Sequence, residues 1–429
     1  MQNALFPNPR ERVNGLIAKH KSIISEWALF LIHPVSALIL AFLNYKSSYA
    51  KNFLWIFVAY YGFTMVISDV EMDANRYRDS FIALAESPVT AQNFISLLYQ
   101  EDANFVDAVQ PLITFLVSIF TNDYRVLFAI FGLVFGYFYS RNIWFLLERS
   151  GSRVKSSSCI FIFIFIIVIG FWQINGFRMW TAAHVFFFGA IQYLIDNKKK
   201  GIIIAAFSVF FHFSFILPVG LLLFFTVLPK KIDWFFWFFI ITFFISELNV
   251  RMLTETLADL LPGVFVQRIN SYTSDVYMEA VSDDLQTRNW RFHFYSQSIK
   301  WVATGFLGVI YFFGKKFIKE NRNYNILFCY TIFFMAVVNL VSQVPSVNRF
   351  YLVVYLFVFA FIFLYLQHAP TFYLKRAILL ISFPLLIFYS LGMINISFMT
   401  IGMITLIGNP IFTLLPYGDI DVALIDLLK

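Results

Sequence analysis

Two arginines stand where this chain could bind an anion. Arg178 and Arg349 each open a long apolar run, and Gly176 allows a tight turn just before the first of them. A charge at the start of a membrane helix is costly, so it usually faces a cavity or a partner. The guanidinium group binds phosphate through a planar fork of donors and stays protonated. The sequence therefore predicts phosphate binding by this pair, with arginines that snorkel to the membrane surface as the alternative.

A group of acids precedes these arginines along the chain. Asp69, Glu71 and Asp73 lie two residues apart and are followed by Arg76 and Tyr77. Acids at this spacing resemble an acidic element of polytopic glycosyltransferases, in which a carboxylate acts as a base or holds a metal. A solvated acidic loop explains the same spacing, so both interpretations stay open on these residues alone.

A third polar feature interrupts the apolar stretch 201–228. This stretch is too long for one helix and contains Pro218 and the sequence Phe-His-Phe-Ser around His212. We predict two short helices that meet at a polar turn. His212 is a candidate for proton transfer because imidazole titrates near neutral pH, and a histidine satisfied by packing is the alternative.

The elements that must position these residues are apolar spans. Hydrophobic residues make up 60% of the chain and charged residues 13%, whereas a soluble domain carries roughly 25% charged residues. The net charge of +7 comes from basic residues spread over several connections, so we expect no nucleic-acid partner. Length and composition predict spans at 27–44, 52–68, 126–147, 158–173, 179–195, 234–248, 299–314, 325–342, 350–367 and 377–394.

Shorter apolar runs complete the predicted architecture. The runs 111–120 and 398–408 are too short to span, which is typical of re-entrant or interfacial segments. The fold class predicted is an all-α polytopic integral membrane protein with about 11–13 transmembrane helices and short half helices. Two larger outer loops, 69–110 and 249–297, separate groups of spans.

Lysine divides the connections between spans into two sets. The positive-inside rule makes the lysine-rich set cytoplasmic: 45–51, 148–157, 196–200, 229–232, 315–323 and 368–376. The other set carries Arg178, Arg349 and the acids, and so faces outside. A polar tail, 1–25, precedes a single membrane domain, 26–429. That tail conflicts with the scheme, because it carries four basic residues on the predicted outer side, while the six lysine-rich connections agree with it.

Five short motifs, in chain order, resemble those of EpsG-like and Wzy-type polysaccharide polymerases. They are Asp73-x-x-x-Tyr77-x-x-x-Phe81, the acid-proline segment Asp107 to Leu112, Asn175 to Arg178 followed by Ala182 and Ala183, Phe211 to Ser214, and Asn348 to Tyr351. Two positions depart from the family pattern. Glu71-Met72 stands where the family has Gly-Thr, and Gln110-Pro111 lacks the following glycine.

This resemblance implies a polymerase of the bacterial inner membrane, active in the biosynthesis of O-antigen, capsule or exopolysaccharide. Its substrates would be oligosaccharide repeat units carried on undecaprenyl diphosphate and displayed on the outer face. A hydroxyl of the acceptor unit attacks the anomeric carbon of the donor chain, and undecaprenyl diphosphate leaves. Arg178 and Arg349 are expected to bind the diphosphate, and Asp73 or His212 to deprotonate the hydroxyl.

The remaining site residues and partners follow from the same resemblance. Tyr77, Arg76 and Asp107 are expected to contact sugar. Arginine can neutralise a diphosphate in place of a metal, so no metal or other cofactor is expected. The partners implied are the lipid-linked oligosaccharide and membrane lipid, with flippase and chain-length regulator proteins as further candidates.

Two other functions remain open on the sequence. A flippase or transporter of lipid-linked oligosaccharides would favour paired internal repeats and charges at mid-membrane depth, and the sequence shows no clear repeat. A metal-dependent transferase using polyprenyl-phosphate sugars through the acids of 69–73, or an acyltransferase, is the other alternative. A metal requirement would separate the metal-dependent enzyme from the polymerase.

Overall fold

Helices form nearly all of the regular structure. The computed structural model describes residues 27–67, 72–87, 107–151, 153–244, 290–341, 349–370, 373–415 and 421–428. Outside the helices of these ranges lies an isolated bridge between Gly402 and Ala423. A helix satisfies its backbone hydrogen bonds internally, as a chain surrounded by hydrocarbon requires. The predicted all-α polytopic class is confirmed.

The helices of the described residues are numbered in chain order. They are α1 (Pro34–Leu43), α2 (Ala50–Phe63), α3 (Asp73–Glu86), α4 (Val109–Ser118), α5 (Tyr124–Leu147), α6 (Ser156–Val168), α7 (Phe177–Asp196), α8 (Lys200–Phe211), α9 (Ile216–Val227), α10 (Ile232–Phe244), α11 (Trp290–Glu320), α12 (Arg322–Val341), α13 (Arg349–His368), α14 (Tyr373–Ser397), α15 (Met403–Ile407) and α16 (Leu424–Leu427). A 3-10 turn, Phe171–Gly176, leads into α7.

Each predicted span contains a helix within the described residues, and the ends of the spans 52–68, 234–248 and 325–342 lie outside those residues. Within the described ranges, six helical stretches are long and apolar enough to cross a membrane: Tyr124–Leu147, Ser156–Asp196, His293–Glu320, Arg322–Val341, Arg349–His368 and Ala377–Ser397. Shorter apolar helices accompany them, among them α4 and the pair α8 and α9. The stretch 201–228 therefore forms two short helices around a polar turn, as predicted. The chain is a multi-pass membrane protein.

Helix α3 lies inside the segment that the sequence suggested as an outer loop. Its buried residues Ala74, Tyr77 and Phe81 recur at helical spacing and form one apolar face. Asp73 begins the helix, where a negative charge is favourable because of the helix dipole. Residues 88–106 of the predicted loop, and most of the second loop 249–297, lie outside the described residues.

Small residues let helices α2 and α5 approach closely. A side chain at Gly62 would collide with the carbonyl oxygen of Phe128, and one at Gly132 with the carbonyl oxygen of Val58. Membrane helices associate through such contacts, since burial of apolar surface against lipid gives little driving force. The two helices thereby fix the start of α5 beside α3, and Phe131 of α5 contacts Tyr77.

The lysine-rich connections meet at one end of the bundle. Lys51 Nζ lies 3.1 Å from Glu148 Oε1, and Arg149 Nη2 lies 2.8 Å from Asp196 Oδ1. These contacts join three of the connections that the sequence assigned to the cytoplasm. Because successive spans run in opposite directions, the 3-10 turn before α7 and the turn between α8 and α9 lie at the other end. Which end is cytoplasmic stays a prediction, and the N-terminal tail lies outside the described residues.

Candidate active site

The turn before α7 positions Arg178. Gly176 precedes α7, and Arg178 is the second residue of the helix. A Cβ atom at Gly176 would lie 2.8 Å from the ring of Trp180 and 3.8 Å from Asp73 Oδ2. The glycine therefore leaves room for the tryptophan ring, and the carboxylate of Asp73 lies beside the start of α7.

Arg178 contacts two groups that come from distant parts of the chain. Its Nη1 atom donates to Asp107 Oδ2 at 3.1 Å, and its Nε atom donates to Tyr77 Oη at 3.2 Å. The side chain of Arg178 is 24% exposed and that of Asp107 is 2% exposed. A snorkelling arginine extends towards water, whereas this guanidinium is held by two protein partners.

Asp107 joins Arg178 to the turn between α8 and α9. Its Oδ1 atom accepts a hydrogen bond from the backbone N–H of Phe213 at 2.8 Å. The N–H of Ala108 donates to the carbonyl oxygen of Phe210 at 3.0 Å, which fixes the same two segments together. Both carboxylate oxygens of Asp107 are thus engaged by protein donors. The position supports a role in holding Arg178, and the predicted contact with sugar stays a prediction.

Tyr77 is a buried and neutral partner of Arg178. Burial raises the pKa of Tyr77 to about 12, although the nearby Arg178 charge lowers it. The phenol therefore stays protonated at neutral pH, and its oxygen accepts the hydrogen bond from Arg178. The ring is 5% exposed and packs edge-on against Phe131. The predicted contact of Tyr77 with sugar stays a prediction.

Asn175 ties the start of α3 to the turn before α7. Its Oδ1 atom accepts from the N–H of Ala74 at 3.2 Å, and its Nδ2 atom contacts Met72 Sδ at 3.3 Å. Asp73 is consequently held beside α7, and its side chain is 30% exposed. Arg76 Nη2 donates to Asp73 Oδ1 at 2.6 Å. The carboxylate of Asp73 is therefore accessible as well as anchored.

His212 ends α8 and faces its own turn. Its Nδ1 atom lies 2.7 Å from Ser214 Oγ and accepts from the N–H of Ser214 at 3.4 Å. Because a backbone N–H can only donate, Nδ1 is an acceptor, and the proton of the neutral ring is on Nε2. The ring also stacks on Phe213, with 5.7 Å between the centroids. This tautomer suits donation from Nε2 better than acceptance of a proton there.

Arg349 lies at the start of a helix that packs against the turn after α8. It is the first residue of α13 and is exposed. The next residue, Phe350, packs against Phe215 with 5.6 Å between the ring centroids. The start of α13 therefore lies beside the turn that holds His212. Binding of one diphosphate by Arg178 and Arg349 together stays a prediction.

The segments that meet at Arg178 lie in one region of family similarity. The EpsG family matches residues 70–407, which include Asp73, Asp107, Arg178, the His212 turn and Arg349. The chain belongs to the EpsG family. No curated protein and no solved structure was found to match it. The predicted family is therefore confirmed, and the structure shows how four of the motifs come into contact, through Tyr77, Asp107, Arg178 and Phe213.

Metal ligands are sparse in the described part of this EpsG-family protein. In those ranges no three His, Cys, Asp or Glu side chains group closely enough to hold a metal ion. Asp69 and Glu71, which with Asp73 form the acidic element of the sequence, lie outside them.

The sequence did not predict the contacts that organise the site. It marked Asp107 and Arg178 separately, but it gave no indication that the two side chains pair across 71 positions. The sequence also did not predict that Ser214 contacts His212 or that the N–H of Phe213 donates to Asp107. The sequence signal that could have indicated this pair is an acid in one EpsG-like motif and an arginine in the next, both at the ends of apolar runs.

Proposed function

We propose that this EpsG-family protein polymerises oligosaccharide repeat units carried on undecaprenyl diphosphate at the outer face of the bacterial inner membrane. The buried contact between Asp107 and Arg178 carries the proposal, because it joins separate EpsG-like motifs into one polar group. Membership of the EpsG family supports polysaccharide polymerisation in general. The multi-pass fold supports a substrate that is anchored in lipid.

The proposed reaction needs a cation at the leaving group. The acceptor hydroxyl oxygen bonds to the anomeric carbon of the donor, and the bond from that carbon to the diphosphate oxygen breaks. The diphosphate departs with the electron pair, so negative charge grows on its oxygens. A preorganised guanidinium stabilises such charge where water is scarce.

Arg178 is suited to that role. Asp107 and Tyr77 occupy its Nη1 and Nε atoms, and within the described ranges its Nη2 atom donates no hydrogen bond. The two partners therefore orient the side chain while donors remain for phosphate oxygens. Arg349, exposed at the start of α13, is proposed as the second cation for the same leaving group.

Asp73 is the better supported of the two candidate bases. Its carboxylate is accessible and lies beside the start of α7, near Arg178. His212 already accepts hydrogen bonds at Nδ1, so its ring is arranged to donate from Nε2. We therefore assign the hydroxyl proton to Asp73. His212 would donate to a phosphate or sugar oxygen.

The glycan made by a deletion strain tests the proposed function. Loss of a polymerase should leave single repeat units on the acceptor, because units still cross the membrane but are not joined. Loss of a flippase should leave none. Gel separation of the surface glycan distinguishes the two outcomes. A deletion strain without any repeat unit would favour the flippase, and one with a normal ladder of chain lengths would refute both.

Asp73→Asn tests the catalytic assignment. The amide keeps the size of the side chain but cannot take the hydroxyl proton, so we expect long-chain glycan to be lost while the protein still inserts. Asp79→Asn is the matched control, because Asp79 lies on the same helix and forms an exposed pair with Arg78. Full-length glycan from Asp73→Asn would return the acids to the solvated-loop interpretation. Activity lost with a chelator and restored by a divalent ion would favour the metal-dependent transferase.

A further inference from the structure

Lys300 forms a second cationic position in the membrane domain. It lies in α11 and is half-buried. Its Nζ atom is 3.5 Å from Tyr351 Oη, 5.0 Å from the centroid of the Tyr351 ring and 5.6 Å from that of Phe243. Within the described ranges no carboxylate lies within ion-pair distance of it. Among the described residues, its polar and aromatic neighbours are therefore one hydroxyl and two aromatic rings.

Other partly buried cations of the described residues have stronger acceptors. Lys230 donates to backbone carbonyl oxygens at the end of α9, and Arg141 donates to Asn52 Oδ1 at 2.7 Å. Arg178 and Arg149 each pair with a carboxylate. A cation held in a membrane without a matching anion is costly, and such residues usually serve a ligand or an ion pathway.

The surroundings of Lys300 hold the ammonium group in place. Tyr351 donates its hydroxyl proton to Asn339 Oδ1 at 2.9 Å, so the lone pairs of its oxygen are directed to other partners. Lys300 can direct one of its three N–H bonds at that oxygen. The others meet no acceptor in the described part of the chain. An anion that enters from the outer side would complete the coordination.

The first turn of α13 separates this position from the Arg178 site. Phe350 contacts Phe215 beside the His212 turn, whereas Tyr351 contacts Lys300. Consecutive residues of a helix point about 100° apart, so the two contacts lie on different sides of α13. The exposed Arg349 precedes both of them. Arg178 and Lys300 are therefore two cationic positions, one on each side of the start of α13.

We propose that Lys300 binds the phosphate of a second lipid-linked substrate, a polyprenyl diphosphate distinct from the one at Arg178. The inference rests on the proposed function, in which a donor and an acceptor each carry a diphosphate into the same site. One cationic position cannot hold two dianionic groups at once without strong repulsion. Lys300, Tyr351 and Asn339 thus form the subsite of the second diphosphate.

Binding of geranylgeranyl diphosphate to the full-length protein in a neutral detergent tests the proposal. Isothermal titration calorimetry should give two equivalents for the wild type. Lys300→Met should remove one equivalent or weaken it about ten-fold or more, because a charge-assisted hydrogen bond is lost. Lys300→Arg should retain both equivalents. Lys316→Met, which removes an exposed charge at the other end of the same helix, is the matched control and should also retain both.

The outcomes separate this inference from the proposed function. A single wild-type equivalent that is lost in Arg178→Met but kept in Lys300→Met would overturn the inference and leave the polymerase assignment intact. Displacement of the Lys300-dependent equivalent by excess phosphatidylglycerol would identify a phospholipid headgroup site and overturn the assignment to substrate. Retention of that equivalent in excess phosphatidylglycerol, together with its loss in Lys300→Met, would support it.

Discussion

The two ends of the bundle use the same types of charged residue in different ways. At the lysine-rich end, the pair of Lys51 with Glu148 is 34% and 54% exposed. At the opposite end, the pair of Asp107 with Arg178 is 2% and 24% exposed. Exposed ion pairs contribute about 0–1 kcal/mol, whereas removal of one partner of a buried pair is strongly destabilising. Charged residues at the lysine-rich end are suited to setting the orientation of the protein in the membrane. Those at the opposite end are suited to positioning the side chains of the site.

The connectivity of the pairs differs as well. Lys51 and Glu148 join the ends of α2 and α5, which already pack along their lengths. Asp107 contacts Arg178 and the N–H of Phe213, and so joins three segments of the chain through one side chain. A substitution at the first end should therefore change little, and one at the second should disturb the whole site.

Asp107→Asn should have the largest effect. The amide removes the charge that balances Arg178 inside the protein, and breaking a fully buried pair costs roughly 3–5 kcal/mol. The cost should be smaller here because part of the Arg178 side chain is exposed to solvent. We expect a lower unfolding temperature in detergent and loss of long-chain glycan at normal membrane insertion.

The matched control for Asp107 lies at the lysine-rich end. Asp196 pairs with Arg149 at 2.8 Å and with Lys198 at 3.1 Å. Asp196→Asn removes the same charge, and we expect a nearly normal glycan ladder. Equal losses of glycan in the two variants would show that the two ends do not differ in the way proposed.

Arg178→Lys should come next in size. Lysine keeps the charge but has no planar fork, so it cannot hold Asp107, Tyr77 and a phosphate oxygen together. A lost charge-assisted hydrogen bond costs on the order of 1.5–3 kcal/mol, or roughly ten- to a hundred-fold in polymerisation rate. Incorporation of labelled repeat units into long chains by isolated membranes measures the rate.

Arg149→Lys is the corresponding control at the other end. Arg149 donates to Asp196 and also lies 3.6 Å from the ring centroid of Phe145, so its local contacts are as extensive as those of Arg178. We expect little change in polymerisation. A wild-type rate in Arg178→Lys at normal expression would remove the diphosphate role from Arg178 and leave family membership as the main support for the function.

The spans were predictable because hydrophobicity alone determines them. A run of apolar residues of sufficient length forms a helix in a membrane, and α13 matches its predicted range, 350–367, to within one residue at each end. Helix α3 was missed because charged residues dominate it, and its apolar face consists of few side chains. The helical spacing of Asp73, Tyr77 and Phe81 is the signal in the sequence that indicates this helix.

The partners within the site were not predictable from one sequence. A hydrogen bond between Asp107 and Arg178 depends on how α4 and α7 pack, and neither motif carries information about the other. The same holds for Lys300, because its neighbours Phe243 and Tyr351 come from α10 and α13. Composition and charge locate polar residues along the chain, whereas tertiary packing decides which of them meet.

Tyr77→Phe should have an intermediate effect. It removes the acceptor of the Arg178 Nε hydrogen bond but keeps the ring that packs on Phe131. We expect polymerisation to fall about three- to ten-fold, because one hydrogen bond to a charged group is lost while Asp107 still holds the guanidinium. The measurement is the initial rate of chain extension between pH 6 and pH 9. Tyr77 stays neutral over this range because its pKa is about 12.

The pH profile adds a second test at Tyr77. Burial raises its pKa from 10.0 to about 12, so the stability that the neutral phenol contributes is fully present below pH 10 and is lost as the pH rises through 12. Tyr77→Phe should therefore lower the rate equally at every pH between 6 and 9. A change in the shape of the profile would show that Tyr77 exchanges a proton during the reaction.

Arg76→Gln should have the smallest effect. The Arg76 side chain is 77% exposed, and its pair with Asp73 gains little in water. Removal of the charge leaves Asp73 anchored, because Asn175 still holds the start of α3 through the N–H of Ala74. We expect less than about a two-fold change in mean chain length, measured from the glycan ladder. Arg78→Gln, on the same helix, is the control. A loss of long chains in Arg76→Gln that is absent in the control would mean that Arg76 binds sugar, as the sequence predicted. The substrate-binding region would then extend from the buried contacts of Arg178 onto the exposed side of α3.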